Sequence, residues 1–562
     1  MATWILTVAA LDAVGAAVML RFADGEYIDG SANFYEPRMI QPALMNVSPN
    51  DGGVFTVFNS ASQGEIELAN LDGGLNYLVD YALDGRTVTL SLVDSGAVTM
   101  VFIGTVERMT EGGGSLFLAM KSLTEALSAN HPMAVYAGTN TPPTGLEGST
   151  GTIEGSVKPK IFGDCRNLSP VMVNSSLLIY EASSRSDAVI TAVYDDGVRL
   201  TNYLVNGARA IGQTSIAVDT GVASSSIPTG AKVIFDSHRA IYSVTTGISG
   251  AAGTIVISPA LTTAIVDNEH VEVVNFYTGS GTAAGQLQNA IAAAAWSSYN
   301  GYFRLAASPS KQITCDVMSV TAGGQHKVGD VFAAVAAELG VTVDSASVTT
   351  LNSVGVMGLA VTEIQPSAAL FDAIARSVGG FYHYIGTTLY MSLLTAPGTP
   401  VMTIEEWQIV ALEREATGLG SNGLPFYGVS IRYDKIETVQ TTVAGATGLD
   451  RTELLKNASR TTEVTDAATL SRHPLAEKIA VESLLRLKAD AVAVANRLLS
   501  LGKVRRDVVT VTAYFSQVPA FNIGDTVTIK HTRLGYSAGR DMVVIGYERD
   551  VKKKRVMLRV LG

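Results

Sequence analysis

Cysteine is nearly absent: Cys165 and Cys315 are the two thiols in 562 residues. One pair builds no disulfide framework, so folding in a reducing bacterial cytoplasm is the simple expectation, with both thiols serving as buried apolar side chains and not as nucleophiles. Charge is scarce at 16% of residues, and Asp plus Glu exceed Lys plus Arg by 51 to 40, a net of -11. That balance argues against a sequence-independent grip on nucleic acid, which needs cations to displace counterions from phosphates. An acidic wall would instead let DNA slide past, although acidity is also the ordinary state of soluble proteins. The seven histidines stand at 131, 238, 270, 326, 383, 473 and 531, none at helical or hairpin spacing from another His or from Cys. Metal sites announce themselves by close ligand pairs, so no metal and no cofactor is expected. Gly-x-Ser-x-Gly occurs once, at Gly535–Gly539 inside the closing β module and not before a helix, and His-Glu-x-x-His does not occur.

Long apolar runs are missing too. Trp4 to Leu20 is largely apolar, but no Lys or Arg precedes it and Asp12 interrupts it, so a strand-turn-strand is expected and not a signal peptide. No segment reaches the roughly 18 uninterrupted apolar residues of a membrane span.

What is present is glycine (54 residues) in a chain that is 47% hydrophobic and rich in Val and Thr. This profile predicts several domains, mostly β, built of short strands and tight turns. From residue 1 to 155 strands are expected at Phe55–Phe58, Glu65–Leu68, Thr87–Val93, Val98–Val106 and Ser115–Met120, forming a β-barrel or sandwich. The alternation in Arg86–Leu92 predicts one buried and one wet face. Thr139–Gly155 reads as a linker or long loop. The stretch Val157–Leu200 combines a proline-led strand at Lys158–Gly163, a turn at Ser169-Pro170, and strands at Leu177–Tyr180 and Ala188–Tyr194. It closes on Asp195-Asp196-Gly197. The adjacent carboxylates Asp195 and Asp196 fit backbone hydrogen bonding in a turn better than acid-base chemistry.

Residues 207–274 read as an inserted small β module with strands at Ser215–Val218, Lys232–Phe235, Ala240–Val244, Thr254–Ile257 and His270–Val274. It is either a contact for a neighbouring protein or a solvated bulge. A second β domain is expected from 156–206 with 275–325, including an Ala-rich helix at Ala283–Ser298. Gly279-Ser280-Gly281 with Gly285 imitates a dinucleotide fingerprint, but the third Gly is one residue late and no acidic residue follows at the ribose spacing. A small α+β domain is expected at 326–395, with helices Val331–Leu339 (N-cap Asp330, stop Gly340) and Ala368–Val378, then a hairpin of Phe381–Ile385 against Thr388–Leu393. In the C-terminal β domain, 396–562, strands are expected near Tyr427–Tyr433 and Glu437–Val443, and a loop at Arg460–His473. A helix over Lys488–Leu501 carries Ala491, Val494, Ala495, Leu498 and Leu499 on one face. A closing β module runs from Val508 to Leu561. The basic run Lys552–Arg555 reads as a solvated hairpin tip, or as a contact for an acidic partner.

Lys-Pro-x-x-Phe-Gly at 158–163, Leu-x-Tyr at 178–180 and Val-Tyr-Asp-x-Gly-Val at 193–198 come in an order that resembles the baseplate or tail-tip hub proteins of long-tailed phages. Gly64–Asn70, Leu71-Asp72-Gly73, Ile523–Thr528, Thr532–Gly535 and Gly539-Arg540 support the resemblance. These proteins are similar in fold to the hub of contractile tails. The fold class implied is α+β, mostly β, with barrel-like hub domains. The implied function is structural and non-enzymatic, with no catalytic, cofactor-binding or metal residues. A homotrimer would supply two barrel-like domains per subunit to a ring that mimics the sixfold tube. It would join the distal tail protein and tail tube, the tape measure protein, and a central fibre or spike, while DNA passes through unread. The implied location is the virion tail tip, after assembly in the host cytoplasm. A receptor-binding adhesin and a tail-associated cell-wall hydrolase are the alternatives, the hydrolase needing Cys165 or Cys315 as nucleophile.

Overall fold

The computed structural model describes residues 3–42, 45–48, 60–63, 65–94, 96–141, 144–200, 203–219, 226–237, 240–274, 296–319, 326–514, 518, 521–550, 553 and 555–562. The strand expected at Phe55–Phe58, the Gly279–Gly285 segment, most of the helix expected at Ala283–Ser298, and His238 lie outside them. The chain is mostly β and multi-domain, as its composition predicts.

A seven-stranded N-terminal sheet runs in the order 17–23, 3–11, 87–94, 97–112, 115–122, 65–69, 39–41. Val88 and Leu90 point into its main core, while Val93 joins Ile5, Ala23 and Tyr35 on the other face. The wet face expected for Arg86–Leu92 is thus partly covered by the Tyr27–Tyr35 segment. Thr139–Thr141 and Thr144–Ser149 pair as a hairpin, where a linker was expected. Asn140 pins it, donating to the Val173 carbonyl at 3.0 Å and accepting from Glu147 N at 2.8 Å.

The proline-led strand begins at Lys160 and runs to Leu168, an inner strand of a five-stranded sheet, between Ile313–Ser319 and Gly358–Val361. Gly163 is required there: its φ is +74°, and a Cβ would lie 2.1 Å from the Met357 carbonyl oxygen. Six strands between Tyr203 and Val274 close into a barrel around an apolar core that includes Tyr203, Ile216, Phe235, Tyr242 and Val271. Trp296–Ser298, the end of the expected Ala-rich helix, belong instead to a strand, Trp296–Tyr299.

Helix Val328–Glu338 starts two residues before the expected N-cap. Asp330 lies in its first turn, and its carboxylate accepts from the Asn352 side chain at 2.9 Å across to helix Ser345–Asn352, which the sequence reading missed. Helix Ser367–Val378 ends on left-handed Gly379, φ +59°.

The C-terminal sheet has the strand order 400–404, 526–531, 536–550, 555–561, 508–514, 409–416. Only Glu405–Gln408 connect its two edge strands. Flat, six strands at about 4.8 Å spacing would hold those edges about 24 Å apart, whereas five residue steps reach about 17 Å at most. The sheet therefore curls on itself, enclosing Ile404, Val511, Ile529, Val544 and Leu558. Tyr536–Asp550 pairs with 526–531 only along its first half. The free second half takes Met45–Ser48, with Val47 opposite Tyr547, and Ser60–Gln63 pairs behind it. A hairpin of the N-terminal region thus adds two strands to the C-terminal sheet.

Gly428–Tyr433 is the centre of a three-stranded sheet, flanked by Arg460–Thr465 and Lys478–Glu482. The expected loop at Arg460–His473 is this strand followed by helix Ala467–Arg472, capped by the Asp466 side chain. Glu437–Val443 forms no strand; its backbone is tied to Arg166 and Asn167 instead. Helix Lys488–Gly502 buries all five residues of its expected face. One apolar cluster runs from Phe162 through Val331, Phe371 and Leu498 to Leu561, so the helices, the three-stranded sheet and the last strand share a core.

Candidate functional site

Both cysteines are buried on neighbouring strands of the five-stranded sheet, with Cys165 opposite Val317 and Cys315 opposite Leu168. Burial raises both thiols well above their ordinary pKa, so neither is a ready thiolate. Asp195 accepts from Ser310 N at 2.7 Å, Ser310 Oγ at 2.8 Å and Lys311 N at 3.0 Å, and Asp196 pairs with Lys311 Nζ at 2.8 Å. These carboxylates tie one loop to another. Among the described residues no group of three His, Cys, Asp or Glu could hold a metal, and no helix is long and apolar enough to cross a membrane. Lys553 pairs with Asp550 at 3.0 Å at the tip of the last hairpin.

What the fold does bring together is a set of ionic joints between its units. At the first, the Glu338 carboxylate at the end of helix Val328–Glu338 meets Lys160 Nζ at 2.6 Å, His131 Nε2 at 3.0 Å and the Arg185 guanidinium. Burial alone would raise this carboxyl, but the bonds from His131 and Lys160 and the Arg185 charge outweigh it and hold the pKa at about 2. Arg185 also lies over the Phe162 ring at 4.3 Å and pairs with Asp187. The helix, the central strand and the 131–132 segment are clamped in one place.

At the second joint Asp434, left-handed at φ +54°, meets buried Arg486 at 2.8 Å, with Arg166 at 3.5 Å and Arg460 at 3.6 Å. At the third the Tyr194 hydroxyl donates to Asp316 at 2.9 Å while the Arg451 guanidinium covers the Tyr194 ring at 3.4 Å and reaches Asn167 at 3.2 Å. This joint borders a cleft of about 610 Å³ between the five-stranded sheet, the closed barrel and helix Leu449–Lys456. Across it Arg199 reaches Asp236 at 2.9 Å and Glu272 at 3.2 Å, tying the barrel to its parent sheet.

The sequence reading paired none of these charged groups, although His131, Lys160 and Tyr194 fall in stretches it named. The partners lie 178 residues apart for Lys160 and Glu338 and 284 apart for Asn167 and Arg451, so local spacing carries no signal. A hint existed only in the scarcity of charge, which makes each buried ion a structural choice.

No family model matches the chain, and no curated protein matches it. Among solved structures it is similar to the prophage MuSo2 43 kDa tail protein from Shewanella oneidensis, at 12% identity and TM-score 0.27, covering 67% of this chain and 98% of that one. It is similar also to a tail protein from Neisseria meningitidis MC58, at 12% identity and TM-score 0.27, covering 66% and 96%. A third is prophage tail protein gp18 from Listeria monocytogenes EGD-e, at 10% identity and TM-score 0.24, covering 66% and 94%. All three carry the description of tail proteins. TM-scores at this level do not establish a common fold, and the functional reading rests on the chain's own residues.

Proposed function

We propose that this chain is a structural protein of a phage tail, acting as the hub at its distal end, and that its work is done by interfaces and not by catalysis. One observation carries the reading: Met45–Ser48 and Ser60–Gln63, which lie in sequence between strands 39–41 and 65–69 of the N-terminal sheet, pair onto the C-terminal sheet, so the two sheets are held together by shared chain. The second ring unit is assigned to the curled C-terminal sheet, the alternative being the discontinuous unit expected at 156–206 and 275–325, where a five-stranded sheet that also takes Gly358–Val361 and a four-stranded sheet share one core. Three copies would then offer six sheets around a channel for the tape measure protein and the DNA. The order of motifs from Lys158 to Val198 agrees, since these residues form the central strand and turn on which the ionic joints converge.

Labelling purified particles with antibody against this chain and locating the label by electron microscopy tests the proposal. Label at the distal tail end is expected; label along the shaft or on the capsid overturns it. The closed barrel, with a core of its own, favours a receptor-binding role as the second reading. Glycan-array binding by the isolated barrel would support that role, and binding to none would remove it.

A further inference from the structure

A cleft of about 1000 Å³ lies between the three-stranded sheet and the end of strand Ile409–Ala416. Five consecutive residues, Glu477–Val481, line it. Because side chains alternate across a strand, a face can present only every second residue. A run of consecutive residues means that the edge of the strand, with its backbone groups, borders the cleft.

That edge is open. Lys478–Glu482 pairs on its inner side, parallel to Gly428–Arg432, and is the terminal strand of its sheet. Just beyond, the chain's own residues close the edge: Leu484 N donates to Ser377 Oγ at 2.9 Å, and Gly358 N donates to the Leu484 carbonyl at 3.1 Å. Among the described residues no strand pairs with the outer side of Lys478–Glu482. The cleft is floored by buried Leu419, Leu498 and Val508, so an entering segment would meet apolar surface on one of its faces.

A second cleft, about 290 Å³, continues the first along Glu482–Leu484. Arg376 lines both. Half-buried on helix Ser367–Val378, its guanidinium makes no hydrogen bond or ion pair among the described residues. Asp372, one turn back, is engaged by the Tyr382 hydroxyl at 2.8 Å. By contrast Arg559, Lys478 and Arg432 around the same clefts are paired with Glu415, Glu463 and Glu482. An unpaired guanidinium midway along an open strand edge selects a carboxylate.

From this we propose that Lys478–Glu482 is a strand-addition site. A partner protein inserts an extended segment, main chain hydrogen-bonded to this edge, β-branched side chains on the Leu419–Val508 floor and one Asp or Glu on Arg376. The inserted strand would bridge the three-stranded sheet to the C-terminal sheet. The inference does not depend on the tail-hub reading.

The probe is a blocked peptide, Thr-Val-Thr-Glu-Thr-Val-Thr, with a counterpart carrying Lys in place of Glu. Binding is measured to the full-length protein by fluorescence anisotropy, with amide hydrogen exchange mapped in parallel. The Glu peptide should bind at least about tenfold more tightly than the Lys peptide, a difference of about 1.4 kcal/mol, and should slow exchange at 478–482. Arg376→Glu should invert the preference. Arg376→Ala should abolish it while leaving the slowed exchange and should melt close to the wild type, since Arg376 makes no hydrogen bond or ion pair among the described residues and only its charge acts on Asp372. Arg376→Glu sets a like charge one turn from Asp372 and should melt slightly lower. Equal binding of the two peptides to the wild type, or protection elsewhere than 478–482, overturns the proposal. So does protection at 478–482 without peptide that rises with protein concentration, which would assign the edge to a second copy of this chain.

Discussion

The closed barrel at 203–274 and the curled C-terminal sheet solve one problem in opposite ways. The barrel pairs every strand on both sides and fills itself with apolar side chains such as Phe235, Tyr242 and Ile255. No edge of it is left to a neighbour, as closure alone achieves. The C-terminal sheet leaves its edges to be covered: half of Tyr536–Asp550 is paired by a hairpin from near the other end of the chain, and Asp434 with Arg486 locks the adjoining layer. A closed barrel depends little on its surroundings. An open sheet is completed by whatever is added to it, and assembly surfaces belong there.

The largest effects should separate the two regions. Asp434→Ala leaves the nine-tenths-buried Arg486 charge without its carboxylate and should cost about 3–5 kcal/mol, lowering the main calorimetric transition. Phe235→Ala opens a cavity in the barrel at a similar cost of about 3–5 kcal/mol, yet it should lower only a separate barrel transition. A single transition shifted alike by both variants would break the comparison.

Val47→Pro attacks the borrowed strand, since proline cannot donate to the ladder. Faster amide exchange confined to 545–549 is expected, by about tenfold or more, with little change in Tm because the opening is local. Unchanged exchange there would mean that the edge does not rely on the hairpin.

Acid should act on the open region. Burial, with Phe381 and Tyr390 stacked on either side, pushes the His383 imidazole down to about 4, so the folded state holds it neutral. The unfolded chain takes up that proton near pH 6.5, so this stability is present above 6.5 and is lost as pH falls toward 4. Glu338, held at about 2 in the fold, adds a loss between its ordinary value near 4.5 and pH 2. Denaturant titrations from pH 7 to 3 should show both losses. His383→Phe should flatten the upper part of the slope and Glu338→Gln the lower; the barrel's transition should fall with acid as well, because burial lowers His270 on its last strand.

The smallest effect belongs to Asp236→Ala. This carboxylate is half exposed where it meets Arg199, and its loss should cost about 1 kcal/mol or less. A larger loss would show the barrel to be tied to its parent sheet more firmly than its closed architecture implies.

The sequence made legible what is periodic or capped. Helix Lys488–Gly502 buries the expected face, and the strands at Ser215, Lys232 and His270 stand where they were expected. Misreadings fell where a segment's partner is remote. Arg460–Thr465 is polar and pairs by backbone with Gly428–Tyr433, so no apolar period marks it. Glu437–Val443 has strand-like composition, but its hydrogen bonds go to Asn167, a residue far away in sequence. Helix Ser345–Asn352 was legible in principle, since Asp344 caps it by accepting from Ser347 N at 2.7 Å. The ionic joints were not, because each is assembled from three or four segments.

The measurement that tests the central claim most directly is the absolute mass of the purified full-length protein by light scattering across a concentration series. A hub built from open sheets that meet around a channel predicts three times the mass of one chain. A single-chain mass at every concentration, persisting when the tail protein it is expected to seat upon is added, would contradict it.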